Sequence, residues 1–294
     1  MNTNSNTYTV IYSIILVVVV AAVLAFAAMF LKPTQEANVK KDTISQILTA
    51  ATFANVADAD ILNTYKAEIE SAILVNIEGV VLPDTLATSD VNSLQVYGNS
   101  ELKAQMDAAD KKAKLVNDTL KAETEKKKKL MEEAAKIDPK FPVYIFKNGI
   151  TVVPCYGAGL WGPIWGYVGV QSDLTISKAC FGHKGETPGL GAEITDEPAN
   201  FSDLFTGKRF NEEVKVGKGV NPERKPEINA VDAISGATIT SNATGVMLNQ
   251  WREFYQNYFS ATKVNNTTTV EATDSVAVCD SIPAVVEPIN KEEE

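Results

Sequence analysis

FPVYIFKNGITVVPCY, residues Phe141 to Tyr156, reads as two β-rich runs folded about Asn148-Gly149. Asn-Gly accepts the positive φ angles of a tight hairpin turn, so the stretch predicts a pair of antiparallel strands. WGYVGVQ (Trp165 to Gln171) and LTISKACFG (Leu174 to Gly182) follow as further strands. In VMLNQWREFYQNYF, Val246, Met247, Trp251, Phe254, Tyr255 and Tyr258 recur at helical spacing, which predicts a helix packed on the sheet. Upstream, Lys40 to Leu74 reads as two short helices. Thr43, with Gln46 three residues on, opens the first as a capping box, and Asp58 or Asp60 caps the second. AILVNIEGVVL (Ala72 to Leu82) is a short buried strand with a turn at Gly79. The expected class is α+β, a largely antiparallel sheet flanked by helices.

Ahead of this lies Val10 to Leu31, 22 residues without a charged side chain. At 1.5 Å per residue it spans roughly 33 Å, about a bilayer core. A secretory signal has a shorter apolar core, a basic start and a small-residue cleavage site. Here no Lys or Arg precedes the span, and it ends in Met29-Phe30-Leu31, so an uncleaved single-pass anchor in the lipid bilayer is expected. Lys32, Lys40 and Lys41 follow the span. The positive-inside rule would keep the domain inside, but it is weak for a long domain after one span. The expected partition is a flank at 1–9, a transmembrane helix at 10–31, a linker at 32–41, a soluble domain at 42–261 and an acidic tail at 262–294.

Composition narrows the function classes. A net charge of -10 argues against nucleic acid as a partner. Glu101 to Lys140 carries 11 Lys and 9 acidic residues with sparse apolar positions, the pattern of a solvated helix or helical hairpin inserted in the domain, not a core element. The tail from Val264 holds seven acidic residues against one lysine, a composition that resists folding. Three cysteines make no disulfide framework, and a Cys155 to Cys180 bridge stays open. His183 is the only histidine. Cys180 and His183 alone form no complete ligand set, and no base stands beside a nucleophile, so neither a metal site nor a catalytic residue is expected.

Three stretches remain as candidates for binding. Gly157 to Gly162 fits G-x-G-x-x-G, but Pro163 and the strand-like PIWGYVGV stand where a dinucleotide site needs a helix. What survives is a turn presenting Trp161, with Trp165 or Tyr167, to a planar ring, or the same aromatics as core. HKGETPGLGAEI (His183 to Ile194) carries Glu186 and Thr187 before a Pro-Gly-Leu-Gly turn whose N–H groups lie open. VDAISGATITSNATG (Val231 to Gly245) crowds five hydroxyls at a strand-to-helix junction. Turn chemistry accounts for such residues. So does a helix N-terminus that binds a phosphate or esterifies one.

Taken together, the three stretches resemble a known family. DAISGAT, Asp232 to Thr238, is similar to the Asp-x-x-Ser/Thr-Gly-Ala-Thr motif of FMN-binding domains that hold FMN by a phosphoester on the last threonine. ETPGLG and GLWG match the same family. The single span matches its membrane-anchored members, above all those of the Na+-translocating NADH:quinone oxidoreductases. The resemblance covers roughly Lys40 to Phe259.

It implies an electron carrier with FMN on Thr238, relaying electrons within a sodium-exporting respiratory complex of the bacterial inner membrane. The soluble domain would lie on the periplasmic side, with the other subunits as partners. Asp232, Ser235, Gly236 and Ala237 match the recognition sequence of a flavin transferase that takes FMN from FAD. Gly159, Leu160 and Trp161, with Glu186, Thr187, Gly189, Leu190 and Gly191, match the stretches that line the flavin. Trp161 and Leu190 would hold the ring while Glu186 and Thr187 bond its polar edge. Of the other hydroxyls, Thr240 or Ser241 is expected to cap the helix and Thr244 to be surface. The charged insertion, the acidic tail and the additional Lys184 depart from the pattern, so His183 is left out of the site. Two alternatives stand beside this reading. One is the member of the related ferredoxin:NAD oxidoreductase complex that shares the threonine motif, and the other is an anchored binding module without redox function.

Overall fold

The computed structural model describes residues 6–53, 55–86, 95–195, 201–225 and 227–274. Its first element corrects the expected linker. Helix α1 (Asn6–Ala50) runs unbroken through 32–41, with Pro33 inside it. Gln35, Glu36, Ala37, Lys40 and Lys41 are helix formers, and Lys32 and Glu36 pair at i,i+4. Packing of Ile44, Ile47, Leu48 and Ala51 against the sheet then holds the C-terminal end. Thr43, expected as an N-cap, is therefore buried mid-helix. Among the described residues α1 is the one helix long and apolar enough to cross a membrane, and the side chains of that stretch are exposed.

The second short helix forms as α2 (Ile61–Glu68), with Asp60 at its N-cap but no capping bond from the Asp60 side chain. β1 (Ile69–Val75) and β2 (Val81–Thr85) make a hairpin closed by the Gly79 N–H donating to Asn76 O. The charged insertion is a helical hairpin of α3 (Asn99–Thr119) and α4 (Thr124–Ala135). The expectation that it stays out of the core is corrected, because Leu102 and Ala109 are fully buried in the main cluster with Met106 beside them. These three positions form a single stripe at helical spacing, enough to seat α3 while the charges face water.

β3 (Phe141–Phe146) and β4 (Thr151–Ala158) pair antiparallel about Asn148-Gly149 as the sequence predicts. β5 (Pro163–Val170) and β6 (Ile176–His183) complete a six-stranded antiparallel sheet in the order β2-β1-β3-β4-β5-β6. No helix follows Gly162, so the dinucleotide reading fails as expected. A parallel pair, β7 (Lys215–Gly217) and β8 (Ala230–Asp232), leads into the last helix, α5 (Thr238–Asp274). α5 continues past the expected start of the acidic tail, and residues 275–294 lie outside the described part.

The sheet carries a core on each face. One face buries Tyr144, Phe146, Val152 and Tyr167 under α1 and α2. The other buries Phe141, Val153, Ile164 and Phe181 under α3 and α5. α5 is fixed by its aromatic stripe: Phe254 stacks on Phe141 at 4.8 Å, Trp251 Nε1 donates to Tyr156 O at 2.7 Å, and Tyr255 Oη donates to Pro142 O at 2.9 Å. Strand alternation puts Cys155 on the α5 face beside Gly166, whereas Cys180 pairs across from Tyr167 on the α1 face; both are free thiols.

Candidate functional site

Three segments converge at one end of the sheet: the β4–β5 turn, the loop after β6 and the start of α5. They enclose a cavity of about 300 Å³ lined by Leu160, Trp161, Glu186, Thr187, Leu190, Gly191, Gly236, Ala237 and Thr238, together with Ile239 and Thr240. Asp232, Ser235, Gly159 and Gly189 of the expected set are not among its walls. Trp161 is 70% exposed, and Leu160, Leu190 and Ile239 are exposed beside it, giving the mouth an apolar collar. Trp165 and Tyr167 are not at this site: Trp165 donates its Nε1 hydrogen to Gln46 on α1, and Tyr167 is buried under the same helix.

The approach to α5 is set by the chain itself. After β8 the backbone turns at Gly236, whose φ of 81° suits glycine, and the Ala237 N–H donates to Ile234 O at 3.0 Å. Ser241 Oγ accepts from the Ile234 N–H at 3.1 Å and donates to Ala237 O at 2.9 Å, tying the incoming strand to the first turn. The expected cap by Thr240 or Ser241 is thereby corrected, because both lie inside the helix and bond elsewhere. Thr244, expected at the surface, is fully buried and donates to Thr240 O at 3.1 Å. Thr238 is the first helical residue and is half-buried at the cavity wall. First-turn N–H groups have no acceptor within a helix and carry the positive end of its dipole, so the position favours a phosphate.

Glu186 sits beneath this turn with only 4% of its surface exposed. Its Oε1 accepts from the Trp161 N–H at 2.9 Å and its Oε2 from the Thr240 hydroxyl at 2.7 Å. Burial pushes its carboxyl pKa up, but bonds from the Trp161 N–H, the Thr240 hydroxyl and the Gly162 and Leu160 N–H groups outweigh that and hold it below the ordinary value. Both oxygens are engaged within the chain, so the bond to a ring edge that the resemblance implies would use a second acceptor site on one of them. Gly159 and Gly191 serve the same carboxylate, since a Cβ at either would stand 2.5 Å from one of its oxygens.

Asp232 lies on the other side of β8, where Oδ1 accepts from the Asn221 N–H at 2.8 Å. Buried Asn221 in turn donates to Lys225 O and Ala230 O, each at 3.0 Å. Asp232 thus fastens the loop that precedes the motif. Thr240 and Ile239 are wall residues that the sequence did not place at the site. The helical spacing from Thr238 put Thr240 on α5, but only the tertiary approach of the β6 loop turns it inward.

Comparison with known proteins bears on this geometry. Residues 159–253 match the family described as FMN-binding domain. The NqrC protein of the Na(+)-translocating NADH-quinone reductase of Haemophilus ducreyi is 30% identical, over 84% of this chain and 89% of that protein. Its counterpart from Pasteurella multocida is 30% identical over 83% and 88%. The crystal structure of the Parabacteroides distasonis counterpart superposes with a TM-score of 0.53 at 30% identity, covering 78% of this chain and 96% of that one. Shewanella oneidensis NqrC gives 0.54 at 25% identity, covering 76% and 98%. By identity and coverage together, the chain belongs to the NqrC family of Na(+)-translocating NADH-quinone reductase subunits.

Proposed function

We propose that this chain carries FMN as a phosphoester on Thr238 and relays electrons through it within a sodium-exporting NADH:quinone reductase. The observation that carries the reading is the position of Thr238: a hydroxyl at a helix N-terminus, in the wall of a cavity with an apolar collar. Phosphate suits the first turn of α5, and a flat aromatic ring suits Trp161 and Leu190. The 300 Å³ cavity is at the lower end of ligand-pocket volumes, consistent with a group that leaves part of itself outside.

Attachment would join Thr238 Oγ to the FMN phosphorus of FAD, break the pyrophosphate bond, release AMP and free the hydroxyl proton. Ser235 and Gly236 are exposed beside Thr238, which supports access by a flavin transferase. FMN, once held, supplies the electron chemistry, while the protein supplies position, polarity and exposure. The chain needs no acid or base of its own for such a relay.

The path of α1 supports a pocket close to the membrane. Gln46 meets Trp165 near the pocket end of β5, whereas Ala51 O accepts from Asn148 Nδ2 at the opposite end of the sheet. Followed back from Gln46, about 22 Å of helix leads to the end of the span at Leu31. The apolar collar then faces the lipid and the membrane-embedded subunits, with the domain on the periplasmic side. Co-expression of the full chain with a flavin transferase tests the reading by mass: FMN is expected on the wild type and absent from Thr238→Ala. An unmodified wild type, or an adduct that persists in the variant, overturns it.

A further inference from the structure

Glu186 is a buried carboxylate bonded on both oxygens by the chain itself, and its surroundings are built for it. Three segments meet on its two oxygens. The β4–β5 turn donates the Trp161 N–H, and the first turn of α5 donates the Thr240 hydroxyl. The β6 loop supplies Glu186 itself, whose N–H donates to His183 Nδ1 at 3.3 Å. Each segment contributes a wall of the cavity. The two glycines whose Cβ atoms would strike the carboxylate, Gly159 and Gly191, lie one on each side of it. The carboxylate is thus bonded by groups 25 and 54 residues away in the chain.

We propose that Glu186 and Thr240 are a positioning pair that pre-sets the flavin pocket, locking the turn that presents Thr238 to the loops that hold the ring and placing a fixed anion beside them. The proposal rests on the FMN reading. Thr240 is two residues from Thr238 on the same first turn, so a bond that fixes one restricts the orientation of the other. Misplacement by an ångström at a reacting group costs orders of magnitude in rate. A carboxylate that stays ionised also opposes electron uptake by a neighbouring group, because a charge in a buried site is poorly screened.

Three variants separate these effects in the full-length chain. Thr240→Val removes the hydroxyl and keeps the shape. Thr240→Ser restores the hydroxyl. Glu186→Gln keeps an acceptor for the Trp161 N–H and can donate to a rotated Thr240 hydroxyl, so it removes mainly the charge. The rate of FMN attachment is followed by mass, and the midpoint potential of the attached flavin by redox titration. Thr240→Val is expected to slow attachment roughly tenfold or more, with Thr240→Ser returning it toward the wild-type rate. Glu186→Gln is expected to shift the midpoint potential upward. Wild-type attachment rates in Thr240→Val, or a potential in Glu186→Gln that is unchanged or lower, overturn the proposal while the FMN reading stands. If Thr240→Val does not fold, Thr240→Ala, which removes the hydroxyl without adding bulk, decides the attachment rate and Glu186→Gln the potential. A wild-type chain that takes no FMN defeats the FMN reading instead.

Discussion

Trp165 Nε1 on β5 donates to Gln46 Oε1 on α1 at 2.9 Å, so a side-chain bond joins the membrane helix directly to the strand that begins at the pocket. One turn further along α1, Gly169 leaves room for the Ala50 carbonyl, into which a Cβ would run. The anchor is therefore a strut seated on the sheet, not a tether. Gly169→Val is expected to push the strut off its seat and destabilise the chain by about 1–3 kcal/mol, the range for overpacking. Gln46→Ala should cost about 1 kcal/mol, the range for a single hydrogen bond. Thermal unfolding of the purified full chain checks both, and a Gly169→Val melting temperature equal to wild type would contradict the seat.

Trp161 stands at the other extreme. At 70% exposure its ring packs little against the rest of the chain, so Trp161→Ala should change stability by no more than about 0.5 kcal/mol. On the FMN reading its contribution is to the ring. The same variant is expected to alter the absorption and fluorescence of bound FMN while the unloaded protein melts at the wild-type temperature. A variant that melts early but leaves the flavin spectrum untouched would place Trp161 in the fold and not at the ring.

How far the sequence foretold this arrangement differs by element. The Asn148-Gly149 hairpin and β5 and β6 were legible because a two-residue turn and β-rich runs are local signals. The aromatic stripe of α5 was equally plain, since helical spacing survives without knowledge of the partner surface. The continuity of α1 was not. Thr43 and Gln46 have a capping pattern, and only the sheet beneath Ile44 and Ile47 explains why the helix runs through it. Thr240, Ser241 and Thr244 show the same limit at the site. As hydroxyls near a helix start they read as caps or surface, yet Thr240 is buried by the long-range approach of the β6 loop, and Ser241 bonds back to the Ile234 N–H in the segment that leads into the helix. Glu186 was found by resemblance, but its partners are 25 and 54 residues away in the chain, a distance no local pattern encodes.

The α5 anchor gives a stability prediction independent of any cofactor. Trp251 is buried against Phe141, Phe254 and Tyr255, and its indole N–H reaches Tyr156 O. Trp251→Ala removes that packing and leaves a buried carbonyl without its donor. A loss of about 3–5 kcal/mol is expected, enough to deplete folded protein in cells. Trp251→Phe should retain most of the packing and lose mainly the hydrogen bond, about 1 kcal/mol. Chemical denaturation of the two variants checks the order, and equal losses would mean that the hydrogen bond, not the ring, holds the helix.

Glu186 also fixes how the site responds to acid. Its folded-state pKa is lowered below the ordinary 4.5, since the Trp161 N–H, the Thr240 hydroxyl and the neighbouring N–H groups outweigh its burial. A depressed carboxylate stabilises the fold above its unfolded pKa, and that contribution is lost as pH falls through the folded value. The stability difference between wild type and Glu186→Gln should thus be constant from pH 7 down to about pH 5 and shrink below about 4.5 as the wild-type carboxyl takes up its proton. Thermal melts of both proteins without FMN, between pH 7 and pH 3, measure it. Protonation on Oε2, where the Thr240 hydroxyl can rotate to accept, leaves the Trp161 N–H a neutral and weaker acceptor in Oε1, so the β4–β5 turn should loosen over the same interval, read as faster amide exchange at Trp161. A difference that instead changes in favour of the wild type as pH falls from 7 to about 4.5 would mean that the carboxyl is held neutral in the fold and does not act as the anion at the floor of the site.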